Sequence, residues 1–159
     1  MQLLIAAVGR LKDDAERVLV DRYAGRIGNG RVSGLGPLRE IEITESRRTS
    51  AAERKAEEAT RLLAAVRDAD TIVMLDETGR ALASEPFARW LGAERDGGTR
   101  VAAFLLGGPD GHGPEVRGAA RLSLSLGPLT LPHGLARAVL AEQLYRATTI
   151  LAGHPYHRS

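Results

Sequence analysis

Val101-Ala102-Ala103-Phe104-Leu105-Leu106 runs without a polar break into Gly107-Gly108-Pro109-Asp110-Gly111-His112-Gly113. A short apolar run closed by turn residues reads as a strand buried on both faces, and such strands belong to parallel sheets covered by helices. The glycine-rich loop then marks the carboxyl end of that strand, where ligands of open α/β sheets bind. This one stretch sets both the fold class and the place to look for a site.

Working outward, the pattern repeats. Gln2 to Val8 is a second apolar run, closed by Gly9, and Thr71-Ile72-Val73-Met74-Leu75 is a third, ending at a loop over Asp76-Glu77-Thr78-Gly79. Leu38 to Thr44 alternates apolar and charged residues, as an edge strand does, and Leu122 to Leu126 is strand-like. Between the strands lie helical patterns. Val18, Leu19, Tyr23 and Ile27 recur at helical spacing after Asp13 and Asp14, giving a helix to about Arg26. Ser50 and Glu53 form a capping-box pair that opens a helix to about Asp68. Ser84 is placed to cap a helix through Phe87 and Leu91, and a short helix follows Pro114. The last helix spans Leu135 to Leu151, with a stripe of Leu135, Val139, Leu140, Gln143, Leu144, Ala147 and Leu151. Strands alternating with helices predict an α/β domain over residues 1–159, with a mainly parallel sheet and helices on both faces.

With 43% hydrophobic residues in 159, the chain can bury a substantial core. It has no apolar run long enough for a membrane span and opens directly into a strand, so a soluble protein without a leader is expected. The absence of cysteine excludes disulfides and thiolate metal sites and fits a cytoplasmic address. Net charge is only +2, but from Val116 onward five arginines face a single acid, Glu142. That local excess suits a phosphate-bearing partner, and equally a solvated basic face.

Three features carry candidate chemistry. The loop from Gly107 to Gly113 lacks the Gly-Lys-Ser/Thr ending of a P-loop, and the first strand lacks G-x-G-x-x-G, so alone it reads as readily as a tight turn. Leu126-Gly127-Pro128-Leu129-Thr130-Leu131-Pro132-His133 is apolar and stiffened by two prolines, leaving amides and carbonyls free to read a flat heterocycle, although such loops also simply end strands. His154-Pro155-Tyr156-His157-Arg158 offers stacking, hydrogen bonding and phosphate contact near the terminus, where a frayed polar tail is the alternative. No metal is expected, because the two tail histidines have neither a cysteine nor a His-Glu-x-x-His helix beside them. Glu142 and Arg146 form an i, i+4 pair on the last helix.

These pieces occur in an order that closely resembles the ribosomal RNA large subunit methyltransferase H family. The residues that carry the likeness are Met1 to Gly9, Leu75-Asp76 with Gly79, Leu106 to Gly111, Leu129 to His133, Ala141 to Ala147 and His154 to Arg158. The resemblance spans essentially the whole chain. It implies a SPOUT-type domain with a C-terminal trefoil knot, working as a homodimer. It also implies methylation at N3 of a pseudouridine in 23S ribosomal RNA on the assembled ribosome, with S-adenosylmethionine as donor.

Carried over by position, the resemblance implies a donor pocket of Leu75, Gly107, Gly108, Leu126, Gly127, Pro128, Leu129, Thr130 and Leu131. For the acceptor side the candidates are His133, Glu142, His154, Tyr156, His157 and Arg158, with Arg137 and Arg146 contributing from the helix. A related enzyme acting on transfer RNA and a ribosome-bound protein without catalysis are the competing expectations.

Overall fold

The computed structural model describes residues 1–12, 14–154 and 156. Five strands form one sheet in the order β2-β1-β4-β3-β5: β1 (Gln2–Val8), β2 (Leu38–Ile43), β3 (Thr71–Ala81), β4 (Val101–Leu106) and β5 (Leu122–Ser125). Every pairing is parallel. Five helices connect and cover them: α1 (Ala15–Ile27), α2 (Ala51–Ala65), α3 (Ser84–Asp96), α4 (Pro114–Ala119) and α5 (His133–Leu151).

The period-2 geometry of β1 sorts the core into two layers. Leu3, Ile5 and Ala7 pack with Val20, Ile27, Phe87, Leu91, Leu140 and Leu144, so α1, α3 and α5 cover one face. Leu4, Ala6 and Val8 pack with Ala59, Leu62, Val66 and Val116, so α2 and α4 cover the other. The connections through α1 and α3 step one way along the sheet and those through α2 and α4 step back on the opposite face. All four crossovers therefore share one hand, as twisted parallel sheets require.

Three expectations shift in detail. Asp76–Gly79 is not a loop beyond the strand, because β3 continues to Ala81. Leu75 and Arg80 both pair with Leu124, so residues 76–79 bulge out of a strand that resumes on the same partner. Gly79 allows this: a Cβ there would lie 2.8 Å from the Ser123 and Leu124 backbone. Ser84 does not cap α3, since Ala83 takes the cap position and the Ser84 hydroxyl donates instead to Gln143 Oε1 on α5 at 2.7 Å. The last helix starts at His133, two residues early, behind Pro132. The capping box at Ser50 and Glu53 is as expected.

Arg137 is the largest fully buried side chain. Its NH1 donates to Glu40 Oε1 at 2.9 Å and Glu42 Oε1 at 2.5 Å, and its NH2 to the Gly9 carbonyl at 3.0 Å and His133 Nε2 at 2.9 Å. Arg17 also binds both carboxylates, so two guanidiniums and two carboxylates neutralise one another between α1, α5 and β2. The expectation that Arg137 would face RNA is thereby overturned, since its charge is spent inside the fold.

Removing one partner of such a cluster strands the others without water. We expect Arg137→Ala to lose about 3–5 kcal/mol in urea unfolding, against under about 1 kcal/mol for the exposed pair of Arg89 with Glu85.

Candidate functional site

Because the sheet is wholly parallel, all five carboxyl ends lie along one edge. The neighbouring strands β4, β3 and β5 bring their loops together there. Two of the cavities at this edge lie among those loops and share Leu75, Asp76 and Glu77. The first, about 170 Å³, is walled by Leu124 to Gly127, Leu129 to Leu131 and Ala136. The second, about 460 Å³, is walled by Gly107 to His112 together with Lys55, Thr78 and Arg117.

The walls are held from behind. Ser125 Oγ accepts from the Gly127 amide at 3.2 Å and donates to its carbonyl at 3.1 Å, fixing Gly127 at φ 123°, a conformation open to glycine. Arg54 on α2 grips Asp110 through Nε at 2.6 Å and NH2 at 3.1 Å, anchoring the Gly107–Gly113 turn. Gly108 passes so close to buried Glu58 that a Cβ would meet Oε2 at 2.8 Å. Asp76 accepts from the Thr78 amide at 2.9 Å and from Arg117 at 2.7 Å. Burial works to raise its carboxyl, but Thr78 and Arg117 outweigh it and hold it below the ordinary range.

Of the sequence-predicted donor residues, Leu75, Gly107, Gly108, Leu126, Gly127, Leu129, Thr130 and Leu131 line the paired cavities. Pro128 is exposed in the same loop without lining either, and Leu129 leaves 79% of its surface at the rim. Sequence reasoning did not single out Lys55, Glu77, Thr78, His112 and Arg117 as site residues. Lys55 sits mid-helix, where nothing in the chain signals that α2 abuts the β4 loop. His112 is half-buried, with Nε2–H donating to the Leu105 carbonyl at 3.2 Å and Nδ1 buried without a partner among the described residues.

The acceptor-side candidates fall in two places. His133 opens α5 at the cavity end, and burial first, then the Arg137 charge, depresses its imidazole. Arginine has no acceptor, so His133 Nε2 must accept, which makes this ring the neutral Nδ1–H tautomer with its lone pair engaged. Glu142, His154 and Tyr156 lie farther along. Glu142 Oε1 accepts from Arg146 at 3.0 and 2.7 Å and from the Tyr156 hydroxyl at 3.4 Å, while Oε2 accepts from Gln143 at 2.6 Å. The Tyr156 ring meets Tyr145 edge-on at 4.8 Å and lies 5.1 Å from the Arg146 guanidinium. Burial, then Tyr23 and Glu142, push its phenol up, so it remains a donor at neutral pH. His154 is exposed, with Nδ1 accepting the Tyr156 amide at 3.2 Å. His157 and Arg158 lie outside the described residues.

Charge at the C-terminal end is less free than its sequence suggests. Arg117 pairs with Asp76, Arg121 with Glu94, Arg137 with Glu40 and Glu42, and Arg146 with Glu142. No group of three or more His, Cys, Asp or Glu side chains suited to a metal ion occurs among the described residues. Nor is any helix among them long and apolar enough to cross a membrane.

Residues 1–157 match the family model described as "Predicted SPOUT methyltransferase". The chain is 52% identical over 160 residues to the ribosomal RNA large subunit methyltransferase H of Xanthobacter autotrophicus, with all of both chains covered. It is 51% identical to the protein of that name from Brucella anthropi, again over the full length of both. Among solved structures it resembles a probable methylase family protein from Haemophilus influenzae, with a TM-score of 0.57 at 13% identity, covering 99% of this chain and 70% of that one. That last likeness is one of fold.

The buried tautomer is directly observable. A proton-detected nitrogen titration is expected to show His133 neutral, with its proton on Nδ1, well below the pH at which free imidazoles take up charge. A His133 that titrates at or above about 6.5 would remove the Arg137 contact from the account.

Proposed function

The chain belongs to the SPOUT methyltransferases, in the family of ribosomal RNA large subunit methyltransferase H, and on that premise we propose that it methylates N3 of a pseudouridine in 23S ribosomal RNA, using S-adenosylmethionine, on the assembled ribosome. The observation that carries this reading is the convergence of the β3, β4 and β5 loops on two joined cavities. An apolar one stands beside the backbone of residues 126–131, and a polar one lies over the glycine turn. Their combined size suits a small-molecule cofactor. The donor set fits as well: apolar walls and backbone groups for adenosine, and charged side chains for the rest.

Bound there, S-adenosylmethionine supplies an electrophilic methyl group on a sulfonium. The residues of this chain bind and align. Leu126 to Leu131 hold the heterocycle, Gly107 and Gly108 let the backbone come close, and Leu75 closes the wall between the two cavities. Alignment of the reacting atoms is the larger part of the acceleration expected for such an in-line displacement. The proton on N3 must also leave. In the arrangement described, His133, Glu142 and Tyr156 each have their acceptor positions engaged or their proton retained. We therefore assign them positioning roles: His133 against Arg137 at the start of α5, Glu142 and Tyr156 in shaping the tail.

The tail itself supports a second copy of the chain. α5 extends roughly 27 Å at 1.5 Å per residue, with His133 at the cavity end and His154 beyond the other. Tyr156 folds back only as far as Glu142, still nine residues, or roughly 13 Å of helix, from His133. A tail that serves a donor cavity is then most simply the partner's in a homodimer, with His154, Tyr156, His157 and Arg158 closing over the target base and its phosphates. On the same reading, residues 1–159 act as one domain in the cytoplasm, with the part from β4 onward threaded as a trefoil knot.

The test is to incubate the protein and labelled donor with assembled ribosomes, free large subunits and transfer RNA, and to map the product by mass spectrometry. A methylpseudouridine in 23S RNA from ribosomes is expected; label in transfer RNA alone would overturn the substrate. Deleting residues 154–159 should remove methylation by more than about a hundredfold while donor binding persists, and full activity of that variant would sink the role of the tail.

A further inference from the structure

The larger cavity holds more charge than a nucleoside needs. Asp110 is matched by Arg54 and Asp76 by Arg117, which leaves two groups over. Lys55, half-buried in the wall, has no ion pair or hydrogen bond among the described residues, and neither has Glu77, exposed at the seam between the two cavities. Lys55 acts on Asp110 only at a distance, so the cavity offers one cation and one anion free of direct ion pairs, the complement of an α-amino-acid zwitterion. The smaller cavity, by contrast, has Asp76 and Glu77 as its only charged wall residues among the described residues, and both belong to the seam.

We propose that the larger cavity reads the amino-acid half of the donor, with its α-carboxylate at Lys55 and its α-ammonium at Glu77, while Asp76 at the seam faces the cationic sulfur centre. This inference rests on the donor-site reading above and deepens it. Asp76 suits that position because Thr78 and Arg117 orient its carboxylate and keep it ionised, and Arg117 lies largely in solvent, where water screens its charge more than that of the half-buried carboxylate. Loss of the methyl group turns a cationic sulfonium into a neutral thioether. A carboxylate at the seam therefore holds the donor more tightly than the product, and the site favours exchange of spent product for fresh donor.

Calorimetry with three ligands separates the parts. S-adenosylmethionine carries both the amino acid and the sulfur charge, S-adenosylhomocysteine lacks the charge, and methylthioadenosine lacks the amino acid as well. Lys55→Met and Glu77→Gln are each expected to weaken the first two ligands by about fivefold and to leave methylthioadenosine within about twofold, as for partly exposed ion pairs. Asp76→Asn is expected to weaken S-adenosylmethionine by about fivefold more than S-adenosylhomocysteine, with circular dichroism and methylthioadenosine affinity reporting that the fold and nucleoside pocket are intact. If the Lys55 and Glu77 variants bind all three ligands as the parent does, or weaken all three alike, the assignment is overturned. If the parent chain binds none of the three, the donor-site reading itself has failed.

Discussion

A fully buried guanidinium fixes where the last helix begins. Arg137 reaches from the second turn of α5 to the Gly9 carbonyl at the end of β1 and to Glu40 and Glu42 on β2. β5, from which the chain arrives, lies at the opposite edge of the sheet. The segment from Leu126 to Pro132 must therefore cross the carboxyl ends of β3 and β4. The step from β5 to β1 is three strand spacings, roughly 14 Å, within reach of seven residues. The crossing brings the Leu126–Leu131 loop against Leu75, Asp76 and Glu77, and the smaller cavity is the space between them. Desolvating Arg137 is expensive, and the two carboxylates, the Gly9 carbonyl and His133 Nε2 make it tolerable. The ion cluster thus secures a path for the chain more than it adds stability.

Glu42 makes that arrangement sensitive to acid. Burial works to raise its carboxyl, yet the Leu11 amide and Arg137 hold it below the ordinary carboxylate range. Its contribution to stability is complete above the ordinary carboxylate range and fades as pH falls through the depressed value. His133 is depressed as well, by burial and then by the Arg137 charge, so it takes up its proton only below the ordinary imidazole range.

Much of the fold was readable because it rests on local signals. The apolar runs at Gln2, Thr71 and Val101 and the capping box at Ser50 each name an element without help from the rest of the chain. The donor loops were readable individually as strand ends with unusual backbones, and their grouping came from the family resemblance. What could not be read depends on contacts across long separations. The excursion at 76–79 exists because β3 pairs twice with Leu124, a relation set by β5. Ser84 looked like a cap, but α5 lies within reach of its hydroxyl. Lys55 entered the site because α2 covers the face from which the β4 loop turns. The arginines of the last quarter looked like a docking surface, since sequence counts charges but not the partners that Asp76, Glu94, Glu40 and Glu42 supply from distant elements.

The central claim is that donor and target are gathered by different copies of the chain. On the proposed reading, the donor would be held at the three adjacent strand ends of one copy, and the target base under the tail of the other. A complementation measurement addresses it most directly. A donor-site variant, Gly107→Arg, and a tail deletion lacking residues 154–159 are co-refolded in equal amounts and assayed on ribosomes. Each alone is expected to be inactive, while random pairing should place one intact site in each mixed dimer and restore about a quarter of the parent activity. Mixed dimers that form, verified by native mass spectrometry, yet remain as inactive as either variant would contradict the account.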